Sequence, residues 1–242
     1  MAQAMKKIPP EHQVEIIARE FEDFVYIVSH DLGAPLRHIR EFTRLMIEAR
    51  GLDSLDQEEM EYVHFLEVSL EKMDKIQQAL LEYSRVSTRA GPSQTIEPSG
   101  LIEEALRILK RGHAKDSEEI EYEALPKIYA DPVQAQSVFL YILDNAFKFQ
   151  ATGATPKIQI KADIRGDMTF FEIADNGIGI DQAHVQEVFR LFRKLHTAET
   201  FPGVGAGLTV VKKIVERHGG EIYLESEIGR GTRIFFSLPA AE

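Results

Sequence analysis

The chain has 242 residues, 44% of them hydrophobic and 28% charged, with a formal charge of −11 and no cysteine. That length allows two domains with a core each, and the composition is that of a globular chain rather than a disordered one. The acidity excludes a general nucleic-acid or anionic-membrane surface, and the missing cysteine excludes a disulfide framework, a thiolate zinc site and a thiol nucleophile. The first residues lack an apolar signal core, and no window approaches the ~18 apolar residues of a membrane span. The expectation is a cytoplasmic protein with no membrane span and no nucleic-acid partner.

From Glu11 to about Arg50, the residues Phe21, Phe24, Val25, Val28, Leu32, Leu36, Ile39, Phe42 and Leu45 recur at helical spacing and predict an amphipathic helix. "GLDSLDQEE" then offers a glycine and an aspartate/serine cluster suited to a helix end and a new N-cap. Met60, Val63, Leu66, Leu70, Met73, Ile76, Leu80 and Tyr83 repeat the pattern, which falls quiet at "RVSTRAGPS". Two long helices leave their apolar stripes half covered, and a second copy completes a four-helix bundle. A homodimer through residues 11–90 is therefore predicted.

After Pro92 short strands alternate with helices. "QTIEP" is followed by a helix from Ser99 to about Arg111, "EIEYEAL", "PKIYAD", a helix from about Pro132 to Phe149, "PKIQIKADI" and "MTFFEIAD". A helix near Gly205–His218, "GEIYLESE" and "GTRIFFSLP" complete the chain. Apolar alternation in "KIQIKADI" and "TRIFFSL" favours a sheet with one face covered by helices. The fold class is α plus α/β, a helical hairpin (11–90) followed by an α/β sandwich (94–242).

Two glycine boxes carry the chemistry of this second part. "DNGIGI", Asp175 to Ile180, follows a strand, where glycines let backbone approach a ligand or make a plain turn. "GVGAGL", Gly203 to Leu208, runs straight into the periodic "TVVKKIVERH", placing a glycine-rich loop at a helix N-terminus that suits phosphate. It is neither the phosphate loop ending in Gly-Lys-Ser/Thr nor a dinucleotide fingerprint. Upstream, "LDNAFKF" puts Asn145 and Lys148 on one helical face, an oxygen ligand for magnesium beside a cation for phosphate oxygens, or else a solvated face.

"VSHDLGAPLRHI", "YILDNAFKF", "DNGIGI", "VFRLFRKLH" and "GVGAGL" occur in the order and spacing of the kinase core of sensor histidine kinases. The chain resembles that family from about Phe21 to Pro239, and "RLFRKLHTAETFPGVGAGLTVVKKIVERHGG" is most similar to the versions attached to phytochrome-type photoreceptors. The resemblance implies a dimerisation and histidine-phosphotransfer hairpin joined to an ATP-binding domain of the fold shared with DNA gyrase. It implies that Asp175 contacts the adenine amino group and Asn145 ligates Mg²⁺. Gly177, Gly179, Gly203, Gly205, Gly207 and Leu208 then shape the nucleotide pocket and its lid. Residues 181–203 are the implied mobile lid, with Phe189, Phe192 and the basic Arg190, Arg193 and Lys194. The implied activity is ATP-dependent phosphorylation of His30, followed by relay to an aspartate of a response regulator. The stimulus is expected from an upstream sensor domain or a separate sensor protein.

His30 fits that role by position. With Val28 at the centre of the stripe, roughly 100° per residue puts Leu32 about 40° away and His30 about 200° away, toward solvent. A neutral imidazole nitrogen attacks phosphorus without a strong base, and Asp31 can hold the proton on the other nitrogen. Pro35 removes a backbone bond and predicts a kink just past the histidine. A metal site from His30 and His38, two turns apart with only Asp31 nearby, is a poor reading.

Three positions depart from the family's pattern. Tyr141 stands where a polar residue, generally asparagine, precedes the magnesium ligand by one turn; it bears on transfer efficiency. Gly33 replaces a basic or polar residue at some cost in helix propensity. Ala34 lacks the polar group that would place a water for dephosphorylation, which predicts weak phosphatase activity toward a phosphorylated partner. The alternative functions are a catalytically weak dimeric module that binds nucleotide or a partner, and an ATPase or chaperone-like relative of the same nucleotide fold.

Overall fold

The computed structural model describes residues 10–51, 54–110, 119–195, 201 and 203–241, with side chains of the first helix from residue 20 onward. The chain divides into two compact units, Met1–Thr88 and Arg89–Glu242.

The first unit is a hairpin of two helices, α1 (Pro10–Arg50) and α2 (Gln57–Thr88). Gly51, at φ +86°, ends α1 and donates its N–H to the Ile47 carbonyl at 2.9 Å. This is the left-handed C-terminal cap that glycine adopts without a Cβ penalty. Asp56 starts α2 with a reciprocal capping box: its carboxylate accepts the Glu59 N–H at 2.8 Å, and the Glu59 carboxylate accepts the Asp56 N–H at 3.0 Å. Arg50 pairs with Glu59 at 2.8 Å across the turn. α1 runs unbroken through Pro35.

The expected single stripe on α1 divides into two faces. Val25, Ser29 and Leu36 are buried in the hairpin, whereas Phe21, Phe24, Leu32, Ile39, Phe42 and Leu45 remain exposed. The centre of the buried face is therefore near Ser29 and not Val28. A band of apolar residues wider than one helix neighbour can cover always splits in this way. α2 shows the same division, with Leu70 buried and Met60, Phe65, Leu66 and Met73 exposed.

The second unit is a two-layer α/β sandwich. Strands β2 (Glu119–Tyr122), β4 (Lys157–Arg165), β5 (Met168–Asp175), β6 (Ile222–Glu227) and β7 (Gly231–Pro239) form a sheet in the order β2-β4-β5-β7-β6. Among the described residues of this sheet, only the β2–β4 pair is parallel. A small antiparallel pair, β1 (Gln94–Ile96) with β3 (Ile128–Ala130), lies outside that sheet. Helices α3 (Pro98–Lys110), α4 (Pro132–Lys148) and α5 (Gly207–Arg217) supply the other layer. At the middle of the core, Phe139 of α4 meets Phe171 of β5 and Phe236 of β7 at centroid distances of 5.5 and 5.8 Å. Phe171 and Phe236 stack at 4.9 Å. Asp131 caps α4, its Oδ1 accepting the N–H groups of Val133 and Gln134, and Pro132 occupies the first turn, where no N–H is needed.

The element sequence expected after Pro92 is the one observed. The expected helix end at Arg111 and part of the expected lid, residues 196–200 and 202, lie outside the described residues.

Candidate functional site

Site chemistry falls into one cluster in each unit. In the hairpin, the His30 side chain is 72% exposed and its Nδ1 lies 3.1 Å from Asp31 Oδ1. A carboxylate can only accept, so as a hydrogen bond this contact needs the proton on Nδ1, and in the neutral ring Nε2 is then the nitrogen that keeps the lone pair. Tyr26, one turn earlier, stacks near the imidazole with centroids 6.3 Å apart. His38 plays no part in this cluster, and no group of three or more metal-ligating side chains occurs among the described residues.

In the sandwich, the C-terminal end of β5 delivers Asp175 to the edge of the core. Its Oδ1 accepts the N–H groups of Gly177 at 2.8 Å and Thr232 at 3.2 Å, which fixes the carboxyl plane. Burial pushes its pKa up from 3.8 to about 6, and the two amides pull the other way. The turn that follows is anchored from both sides. Asn176 bonds the Lys157 N–H and the Thr155 carbonyl, and the Ile178 N–H reaches the Phe149 carbonyl at the end of α4. Gly177 passes so close to that carbonyl that a Cβ would stand 2.5 Å from it. Gly179 adopts φ +71° and lies against the Glu227 carbonyl, so both its backbone angle and its surroundings exclude a side chain.

α4 presents Asn145 and Lys148 from its last turns, beside this loop. Asn145 is half-buried, and its carboxamide makes no hydrogen bond among the described residues. Lys148 is also half-buried, and its ammonium sits over the Phe149 ring at 4.5 Å. Burial pulls the Lys148 pKa down, opposed by nearby Asp144 and assisted by repulsion from Lys194. Phe149 in turn meets Phe201 at a centroid distance of 5.0 Å. Lys194 donates to the Phe201 carbonyl at 3.1 Å, and Gly203 lies beside the Lys148 ammonium. Two cations and two aromatic rings thus share one rim, an arrangement matched to an anion joined to a flat ring.

The loop that leads to α5 closes the cluster. Gly205, at φ +75°, accepts the Phe192 N–H at 2.9 Å, and Phe192 itself takes a left-handed φ of +62°. Gly207 and Leu208 open α5, with Gly207 against the Tyr141 ring, and α5 has no side-chain N-cap. Its first amides therefore remain available to an anion. Arg193 is engaged elsewhere, pairing with Glu187 at 2.7 Å.

The structure thus gathers Asp175, Gly177, Gly179, Asn145, Lys148, Lys194, Gly203, Gly205, Gly207 and Leu208 around one loop system. Sequence reasoning missed the Phe149–Phe201 pair and the Thr232 amide. The "KF" of "NAFKF" was a signal for Phe149, but nothing local pointed to Phe201 or Thr232. No described helix is long and apolar enough to cross a membrane.

Fold and site together define a nucleotide-binding unit attached to a helical hairpin. Residues 130–242 match the family model described as histidine kinase-, DNA gyrase B- and HSP90-like ATPase. The chain is 34% identical over 220 residues to the phytochrome-like protein Cph1 of Synechocystis, a match covering 91% of this chain and 29% of that protein. It is 34% identical over 233 residues to the methanogenesis regulatory histidine kinase FilI of Methanothrix harundinacea, covering 94% of this chain and 25% of that protein. The full-length crystal structure of ShkA, solved in complex with AMPPNP, shares the fold with a TM-score of 0.66 at 24% identity, covering 90% of this chain and 46% of that one. Residues 130–242 thus carry that ATPase domain, and the chain as a whole is similar to sensor histidine kinases, phytochrome-like kinases among them. It spans less than a third of the length of the phytochrome-like relatives it matches.

Proposed function

We propose that this chain is an ATP-dependent protein histidine kinase core that phosphorylates His30 and passes the phosphoryl group to an aspartate of a response regulator. Residues 11–90 act as the dimerisation and phosphotransfer hairpin, and residues 94–242 as the ATP-binding catalytic domain. The observation that carries the reading is the state of His30: exposed on a helix, with Nδ1 engaged by Asp31 and Nε2 open.

In the nucleotide unit Asp175 accepts from the adenine amino group through Oδ2, since Oδ1 is taken by two amides. The phosphates face Lys148, Lys194 and the first amides of α5. Asn145 would hold Mg²⁺ through its side-chain oxygen, and the ion when bound would neutralise phosphate charge. Arg193 joins the phosphates only after releasing Glu187. In the transfer step the Nε2 lone pair of His30 forms the bond to the γ-phosphorus as the bond to the β,γ-bridging oxygen breaks. ADP leaves with that electron pair, and Asp31 offsets the positive charge left on the ring. The nucleotide unit of either the same chain or its partner delivers the ATP.

The exposed Phe21, Phe24, Phe42 and Phe65 support the homodimer, because a second hairpin covers them. A sensor domain or separate sensor protein supplies the stimulus, and the protein works in the cytoplasm. The test is incubation with γ-labelled ATP and Mg²⁺ beside a His30→Ala variant. Acid-labile, base-stable label that disappears with His30 is the expected result. Nucleotide binding without incorporation would select instead a dimeric nucleotide-binding signalling module.

A further inference from the structure

The turn of α1 that carries His30 is held by α2 through its main chain. Immediately before His30, the Ser29 carbonyl accepts a hydrogen bond from Gln77 Nε2 of α2 at 2.7 Å. Gly33, one turn on, makes the room: a Cβ there would stand 2.5 Å from that nitrogen and 3.2 Å from Arg37 Nη1. The Ser29 side chain is fully buried, and its hydroxyl has no hydrogen-bond partner among the described residues.

The turn is also weak in itself. Pro35 has no N–H to offer the Asp31 carbonyl, and glycine is a poor helix former. Support arrives from α2 instead. Seven residues away along each helix, Ser84 Oγ donates to the Glu22 carbonyl at 3.0 Å, and Ser87 bonds the Glu22 carboxylate. Seven residues in the other direction, Leu36 and Leu70 are both buried. His30 therefore lies between a stretch of hairpin pinned through main-chain carbonyls and a stretch held by apolar packing.

We propose that Gln77 is a positioning residue for His30, acting through the Ser29 carbonyl in the space that Gly33 leaves. The inference rests on the reading of His30 as phosphoacceptor. In-line transfer depends on where Nε2 stands relative to the γ-phosphorus, and slack in a turn with two weak points spreads that position. The carboxamide fixes the main chain from the buried side while the imidazole projects to solvent.

The full chain is compared with Gln77→Leu, Gly33→Ala and the double variant at saturating ATP. Gln77→Leu removes the bond at similar volume; Gly33→Ala displaces the carboxamide with a Cβ. Each is expected to slow incorporation of label into His30 by about three- to ten-fold, the weight of one such hydrogen bond, with nucleotide affinity unchanged. Alanine is the better helix former, so Gly33→Ala keeps or raises the melting midpoint while slowing transfer, which a purely structural role does not do. The double variant is no slower than the slower single, because both lose one contact. Incorporation at the normal rate in Gln77→Leu, loss of rate in step with loss of stability, or effects that multiply would each overturn the proposal. Hydrogen exchange of amides 30–34 decides independently of labelling: faster exchange in Gln77→Leu is expected, and unchanged exchange overturns the clamp. If the unaltered chain takes no label at His30, it is the phosphoacceptor reading that fails, while exchange still reports on Gln77.

Discussion

Phenylalanine does opposite things in the two units. In the sandwich, Phe139, Phe171 and Phe236 are almost completely buried against one another; in the hairpin, Phe21, Phe24, Phe42 and Phe65 stand more than half exposed. The sandwich closes its own core because a sheet face and three helices supply surface enough to cover every large side chain of the inner layer. Two helices cannot, since each presents an apolar band wider than one neighbour covers. The difference is that the hairpin leaves its large rings uncovered by its own chain, which is the surface the proposed second copy would cover.

Substitutions in the two sets of rings break or sharpen that contrast. Phe139→Ala is expected to cost about 3–5 kcal/mol, the range for truncating a packed aromatic, and to melt the sandwich at a midpoint independent of protein concentration. Phe42→Glu is expected to leave the sandwich intact and to split the dimer, with hairpin melting that depends strongly on concentration before the change and no longer after it. Sedimentation together with calorimetry over a range of concentrations reads both. A Phe42→Glu protein that stays dimeric would remove the second-copy reading of this face.

Much of the fold is legible because its signals are local. Asp56 and Glu59 announce a capping box within four residues, and the glycines of "DNGIGI" and "GVGAGL" announce backbone demands, met as φ +71° at Gly179 and +75° at Gly205. What stayed hidden depends on distant pairing. The division of the α1 stripe needs the register of α2, and the same register brings Gln77 to Ser29, forty-eight positions apart in the chain. The stack of Lys148, Phe149 and Phe201 needs Phe201, fifty-two positions further along the chain, to meet the end of α4. Pairing of Arg193 with Glu187 is a choice among several nearby carboxylates that no spacing rule ranks. The parallel β2–β4 pair is likewise invisible until the sheet order is known.

The smallest effect expected, and the most diagnostic of the nucleotide site, comes from Asp175. Its carboxyl is pushed up to about 6 by burial from an ordinary 3.8. The folded unit therefore keeps this proton over a window, from about pH 4 to 6, in which the unfolded chain has lost it. Its contribution to stability is full below that window and is lost as pH rises through 6. Asp175→Asn removes this titration, so the difference in stability between variant and unaltered protein grows from pH 4 to 7 in favour of the variant, by a few kcal/mol at most at ~1.4 kcal/mol per pH unit. Taking the difference matters, because other carboxylates such as Glu187, held low by Arg193, act in the opposite sense. Nucleotide affinity moves against stability. An amino group of adenine favours the ionised acceptor, so ATP binding is expected to strengthen as pH rises through 6 and to become weak and flat with pH in Asp175→Asn. Calorimetric titration with ATP from pH 5 to 8 measures it, and equal affinities in the two proteins would show that the adenine lies elsewhere.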